Sequence, residues 1–579
     1  MLTTLLLVAA LVTASGAESQ AKLPRAKYLD LIEAAVMAYS DAHMESYVRD
    51  VEREGVQEHG FPRLAANLGL LVANGRCTGK RDLLKRMLDA SCRDAAKGKM
   101  PPKSGGNEFS VKELVEAVVA LENAKAYSKD VTDAWRADLS RVTLKSYSSS
   151  SRAVGLPSAG NWLVFACASE QTRLAHGMGG DPAFVERYVA DQLRWFDANG
   201  MYKDPNQPSV YDFVTRLQFA IILRNGYDGP SRAKLEAQME ASAEPTLKML
   251  SAAGEIPYGG RSNQFLHNNT FYAALCEWYA ARDAKRGDRV RAARFRAAAA
   301  EAVAALDPWL AEHPLSHVKN RYPREEGKGV YSAKGDMGCE RYAYFDKYMV
   351  TMGSWAALGW LFADESVAVS VPPRPVAEVF MTTPEFHFAF LRAGDYSAQF
   401  DYLSDEHYDS EGLGRLQRAG APSTLCLAAP CAKHPNYRIP APNDAPLAIL
   451  PVQPDGCVLV PRLMCAEGET AHAIWDIRGA DKSKAWICDL GPDGLTSKQT
   501  GLGELALTLP AFSFDGRERT EIAAADKSLT ITYRGWRCIY ETNGTIVDTG
   551  RSAANRNGTY RRFEAHGVAP LVVKIRLEK

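Results

Sequence analysis

The chain has no surplus of either charge. Its 579 residues hold 69 Lys and Arg against 69 Asp and Glu, and the sequence pI is about 7.1. That balance argues against a nucleic-acid partner and against an anionic membrane surface, both of which are held by an excess of Lys and Arg. An acidic substrate would have to be met by a local basic patch. Long apolar runs are also missing: after the N-terminal stretch nothing approaches the roughly 18 consecutive apolar residues of a membrane span. The 11 cysteines form no CxxC pair and no zinc-like spacing with His, so the sequence names no structural metal. No fixed repeat period is present, which argues against a regular solenoid.

What is present begins with an address. Residues 5–12 are an apolar run with no basic residue ahead of it, and Ser15-Gly16-Ala17 follows with the small residues of an export cleavage site. Residues 1–17 are therefore expected to be a signal peptide, and the mature protein to be secreted or periplasmic. Cys426, Cys431, Cys457, Cys465, Cys488 and Cys538 fall in the last third, where an oxidising compartment would let some of them pair. Cys167, Cys276 and Cys339 lie among helical apolar residues and read as buried thiols.

The chain is too long for one core, and its periodicity divides it in two. Over residues 23–368 apolar residues recur at helical spacing, as in Leu29, Ile32, Val36 and Tyr39, or Leu114, Val118 and Leu121. The second stripe is opened by Ser110 with Glu113 three positions on, a capping-box pattern. Further helical runs cover 184–196, 211–223, 233–250, 270–284, 289–310 and 344–362, with Gly, Pro and Asn between them. Repeated helical hairpins predict an (α/α) toroid, an incomplete helical barrel. A proline-bearing joint at 369–375 follows. Over 376–579 short alternating segments at 386–391, 396–402, 529–533 and 571–577 predict an antiparallel β-sandwich. The expected class is α+β with two domains.

Two segments concentrate polar chemistry. Residues 259–270 hold Arg261, Asn263, His267, Asn268 and Asn269 just before a helix that Asn269 or Thr270 would cap, with donors and no acid. That set suits a carboxylate or sugar hydroxyls, since Arg grips carboxylates through two N–H groups and Asn and His add directed bonds. The plainer reading is a capped loop whose Asn side chains satisfy turn backbone. Residues 320–348 hold Arg321, Tyr322, Arg324, Tyr331, Glu340, Arg341, Tyr342, Tyr344, Asp346, Lys347 and Tyr348. A tyrosine there can work as acid or base if Arg321, Arg324 or Arg341 favours its phenolate, although most of these rings must be packing or sugar-stacking residues. Asn161 and Trp162, and Tyr211, Asp212 and Arg216, sit at or near helix openings, as on the rim of a barrel. His407 lies in a polar loop, 405–409, able to reach across from the sandwich; alone it reads as structural.

With these segments in place, the chain resembles the heparinase II/III-like and alginate-lyase group of secreted polysaccharide lyases, in shape over nearly the whole mature chain and in one short motif. The resemblance implies β-elimination on an acidic, uronate-containing polysaccharide. His267 and Asn268, with Arg261, would neutralise the carboxylate, and Tyr322, 55 positions after His267, would move a proton at the scissile sugar. His267 or His407 would be a second base, and no metal or other cofactor would be needed. The group's His-Gly loop ending is absent, because Asn269 and Thr270 follow Asn268.

Two other readings share the scaffold. A glycoside hydrolase, for example a glucuronidase, would need two opposed carboxyl groups. Asp212, Glu255, Glu340 and Asp346 are available, and Glu340 stands out unless Arg341 or Lys347 pairs with it. A non-catalytic glycan-binding protein would need aromatic platforms and fewer ionisable groups than these two segments hold.

Overall fold

The computed structural model describes residues 23–98, 106–148, 160–323, 336–369, 376–453, 456–479 and 484–579. The expected signal peptide, most of the proline joint, Arg324 and Tyr331 lie outside the described residues.

Six helices form an inner ring: Gly60–Ala73, Val111–Asn123, Asn161–Ala175, Ser209–Arg224, Leu266–Lys285 and Phe345–Phe362. Their sequences explain the position, since they are apolar or small around much of their circumference. In the first of them every residue from Gly60 to Val72 is buried. Each packs on the next, and the last packs on the first, which makes the inner ring of the expected toroid. Gly353 makes room at the closing contact: a Cβ there would stand 2.5 Å from Asn67 Nδ2. Further helices cover the outside, among them the amphipathic Arg81–Lys97 and the alanine-rich Arg289–Ala304.

Several helix ends differ from expectation. The 233–250 run is broken at Ser242 into Arg232–Ala241 and Ala243–Lys248, and the 289–310 run stops at Ala304 before Pro308 opens a short turn of helix. Ser110 makes no side-chain cap bond, and the reciprocal half of the box is lost because the Glu113 carboxylate is drawn to Arg63 at 3.0 Å and Ser354 at 2.7 Å. The helix after the polar loop starts at Leu266, ahead of Asn269 and Thr270. Phe265 forms a β-bridge with Val318, and the Leu266 N–H donates to the His317 carbonyl, which fixes the entry point.

The C-terminal part is all antiparallel. Strands Ala377–Met381, Phe388–Ala393, Tyr396–Asp401 and Gly412–Arg418 form a four-stranded sheet in chain order. It packs on an eight-stranded sheet, with Phe400 against Trp475 and Trp486 at the centre of the sandwich. Strands Glu504–Phe514, Thr545–Ala554 and Thr559–Val568 make a third sheet. All 11 cysteines are free thiols. No helix among the described residues is long and apolar enough to cross a membrane.

The first sheet grips the loop that precedes the fifth inner helix. Gln399 Nε2 donates to the Tyr258 carbonyl at 2.9 Å, Arg415 Nη1 to the Ile256 carbonyl at 2.6 Å, and Asp409 accepts from the Gly260 N–H at 2.6 Å. The polar loop of the toroid is thereby held from the sandwich side.

Candidate active site

The openings of the inner helices converge on one cleft of about 300 Å³, at the lower edge of ligand-sized pockets. Its wall takes His59 and Arg63 from the start of the first inner helix and Phe109 from just before the second. Asn161, Trp162, Val210, Tyr211 and His267 come from the next three openings, and Lys347, Tyr348 and Thr351 from the last. Arg261, Ser262 and Tyr342 close the mouth. Helix N-termini present partial positive charge, so this end of the toroid favours an anion. Among the described residues the lining holds Arg63, Arg261, Lys347, His59 and His267, and no Asp or Glu.

The cations differ in how far they are already matched. Arg63 donates to Glu113, to Thr351 at 2.8 Å and to the Phe109 carbonyl at 3.2 Å. Arg261 is paired with Asp204 and lies 4.1 Å over the Tyr211 ring. Asp204 Oδ1 also accepts from the backbone and the side chain of Asn161, both at 3.0 Å, which fixes the rim. Lys347 Nζ sits 4.9 Å over the Tyr344 ring. Burial lowers its pKa from the usual lysine value, an effect partly offset by Glu58.

Hydroxyls and an imidazole stand together. Ser262 Oγ lies 2.9 Å from the Tyr342 hydroxyl and 3.2 Å from that of Tyr211, and the His267 ring is 5.1 Å from that of Tyr348. His267 is buried and its Nδ1 has no hydrogen-bond partner. Burial first, and then the neighbouring His317, Arg63 and Lys319, hold its pKa well below the ordinary histidine range, so the neutral base persists at pH 7. Burial, reinforced by the neighbouring Tyr211 and Glu340, drives Tyr348 well above the usual phenol range, and the Tyr342 hydroxyl moves in the same direction through desolvation and the same neighbours although the residue is 40% exposed. These phenols keep their protons, contrary to the expected phenolate favoured by an arginine. The loop backbone is bent to place Ser262: Ser262 and Gln264 have φ of 62° and 64°, a costly region for residues with side chains.

Several expected site residues lie elsewhere. Tyr322 is not part of the cleft wall; it packs edge-on against Phe514 of the third sheet, with ring centres 6.2 Å apart and its hydroxyl buried. Glu340 is clamped by Arg556, at 2.6 and 2.9 Å, and accepts from the Ser262 N–H at 2.6 Å, so its charge holds the loop to the sandwich. Asp212 and Arg216 form a fully buried pair with a 2.6 Å contact inside the ring. Asn268 and Asn263 brace the loop through the Ser262 and Gly260 carbonyls, at 3.1 and 2.5 Å. Arg341 is exposed outside the lining, and Tyr344 precedes the last inner helix beneath Lys347. His407 is exposed and bonded to the His434 carbonyl; the loop does touch the toroid, through Asp409. Of the remaining carboxylates, Glu255 is paired with Lys319, and Asp346 faces His43 at 3.6 Å.

His59 and Arg63 went unnoticed in the sequence, although they open a helix just as Asn161 and Tyr211 do. Among the described residues no group of three or more His, Cys, Asp or Glu side chains is arranged to hold a metal ion.

No family model and no curated protein matches the chain. Among solved structures, heparinase III is similar at 10% identity over 89% of this chain and 75% of its own, with a TM-score of 0.48. A family 88 glycosyl hydrolase from Bacteroides vulgatus is similar at 8% identity over 58% of this chain and 100% of its own, with a TM-score of 0.34. A polysaccharide lyase is similar at 9% identity over 58% and 98%, also with a TM-score of 0.34. The side chains of the cleft, not these likenesses, carry the functional reading.

Proposed function

We propose that the chain is a carbohydrate-active enzyme that cleaves an acidic, uronate-containing saccharide by β-elimination in this cleft. One observation carries the reading: the described wall combines cations, a neutral imidazole and protonated phenols, and contains no carboxylate. Hydrolysis by paired acids needs two carboxyl groups facing the linkage. Here Asp212, Glu255 and Glu340 are committed to buried cations, and Asp346 is outside the lining.

The steps follow from the acidity of the sugar. Lys347 and Arg63 neutralise the uronate carboxylate, which lowers the cost of charge at the adjacent C5. His267 Nδ1 takes the C5 proton. The electron pair forms the C4–C5 double bond as the C4–O bond breaks, and the departing oxygen takes the phenolic proton of Tyr348, Tyr342 or Tyr211. Water then carries the proton from His267 back to the tyrosine. Trp162, on the cleft wall, is the ring for stacking a sugar, since Arg261 covers one face of Tyr211. On the apolar run at 5–12 we also place the enzyme outside the cytoplasm.

The test is a time course of ultraviolet absorbance on a panel of uronate polysaccharides, beside a reducing-end assay. Absorbance rising with reducing ends, and lost in His267→Ala, is the expected result. Reducing ends without absorbance would mean hydrolysis and would sink the elimination reading; binding with neither signal would leave a lectin-like protein.

A further inference from the structure

His317 lies outside the cleft lining, yet its contacts end on the groups that the elimination reading uses. Resting on that reading, we infer that His317 is a positioning residue, setting the plane of the His267 ring and the placement of the tyrosines beside it. The Phe265 ring is nearly parallel to two imidazoles, 5.3 Å from His267 and 5.7 Å from His317, at interplanar angles of 14° and 16°. Three nearly parallel rings, all buried, oppose any tilt of His267. The backbone reinforces the stack, since the Leu266 N–H donates to the His317 carbonyl at 3.0 Å and Phe265 bridges to Val318.

The other end of His317 holds the acid side of the site. Its Nε2 is 2.7 Å from the Ala343 carbonyl; a carbonyl only accepts, so Nε2 carries the proton. Ala343 separates Tyr342 from Tyr344, and the helix bearing Lys347 and Tyr348 begins two residues later at Phe345. Cys339 Sγ, 3.2 Å from the same nitrogen, and the Asp336 carboxylate, 3.7 Å from Nδ1, surround the ring. The His317 side chain is fully buried, so it acts through His267 and the 342–348 segment rather than by touching sugar. The charged or titratable groups facing His267 are then His317 and Lys319 from one segment, Arg63 from the first inner helix and Tyr348 from the last.

Two variants separate the contacts. His317→Gln keeps an N–H for Ala343 and loses the ring, whereas His317→Phe keeps the stack and loses the bond. Each is expected to lower kcat about tenfold with KM within about twofold, as for a misoriented reacting group. In both, the acid limb of the kcat/KM profile should move to higher pH, because His267 protonates more readily without His317 beside it. The position of that limb does not depend on the fraction of folded enzyme, so partial unfolding leaves the readout intact. Unchanged kcat and an unchanged limb in both variants overturn the proposal. His267→Ala, run in parallel, tests the underlying reading: if it retains elimination, that reading fails. The His267 titration, followed by NMR in full-length His317→Gln, then decides the coupling separately, and an unshifted titration overturns it.

Discussion

Replacing Glu340 by Gln separates an architectural carboxylate from a catalytic one. Glu340 receives two N–H groups of Arg556, at 2.6 and 2.9 Å, and the Ser262 N–H at 2.6 Å, with both side chains of the pair 1–2% exposed. The amide keeps the shape and removes the charge, which leaves the Arg556 guanidinium buried without its counter-ion. Breaking a buried pair from one side costs about 3–5 kcal/mol, against a total of about 5–15 kcal/mol for a typical domain. At roughly 2–4 °C per kcal/mol for large domains, the first melting transition should fall by about 10 °C. Turnover should fall with it, since the Ser262 loop loses its anchor. The double variant Glu340→Gln with Arg556→Met should recover most of the melting temperature, because no orphaned charge remains. Calorimetry and initial rates on the three variants decide the matter. A Glu340→Gln protein melting within about 2 °C of the parent, yet slowed by about a thousandfold, would place Glu340 in the chemistry and refute the architectural role.

Further outcomes follow from the cleft. Lys347→Met should raise KM for an anionic saccharide by about tenfold to a hundredfold, the worth of a charge-assisted bond, and leave a neutral saccharide unaffected; isothermal titration in low and high salt checks it. Among Tyr348→Phe, Tyr342→Phe and Tyr211→Phe, one should lower kcat by about 10²–10⁴, while Tyr322→Phe stays within about twofold of the parent in steady-state rates. The pH profile of kcat/KM should rise with a midpoint below the ordinary histidine value, as His267 loses its proton and becomes able to accept one. It should fall again below the ordinary lysine value, as Lys347 loses the charge that neutralises the carboxylate.

Local pattern was enough for the 386–402 hairpin and for five of the six inner helices, but not for Gly60–Ala73, which is buried nearly all round and shows no stripe. The 386–402 segment alternates and turns at Gly394-Asp395, and the strands pair as Ala393 opposite Tyr396. Helix ends were harder, because a cap competes with partners from other helices. Ser110 and Glu113 spell a capping box, but Arg63, 50 positions earlier, takes the Glu113 carboxylate. The cleft was half legible for the same reason. Arg261 and His267 are near neighbours in the chain and announced themselves together, and Lys347 and Tyr348 stood in the second polar segment, while His59 and Arg63 reach the cleft only because the toroid aligns the openings of its inner helices.

Spacing along the chain misplaced Tyr322. The 55 positions from His267 include the rest of its helix, the outer helix Arg289–Ala304 and the return, and that path ends under Phe514 rather than at the cleft. The carboxylates make the same point in energetic terms. Whether an acid is free for catalysis depends on its counter-ion, since a buried carboxylate already bound to a guanidinium cannot protonate a leaving group without breaking that pair. For Asp212 the counter-ion is Arg216, one helical turn on and readable from the i, i+4 spacing. For Glu340 the adjacent Arg341 and nearby Lys347 were the visible candidates, and the partner is Arg556, 216 positions away in the other domain. The ion pair that holds Glu340 shows only where the sandwich reaches over the loop.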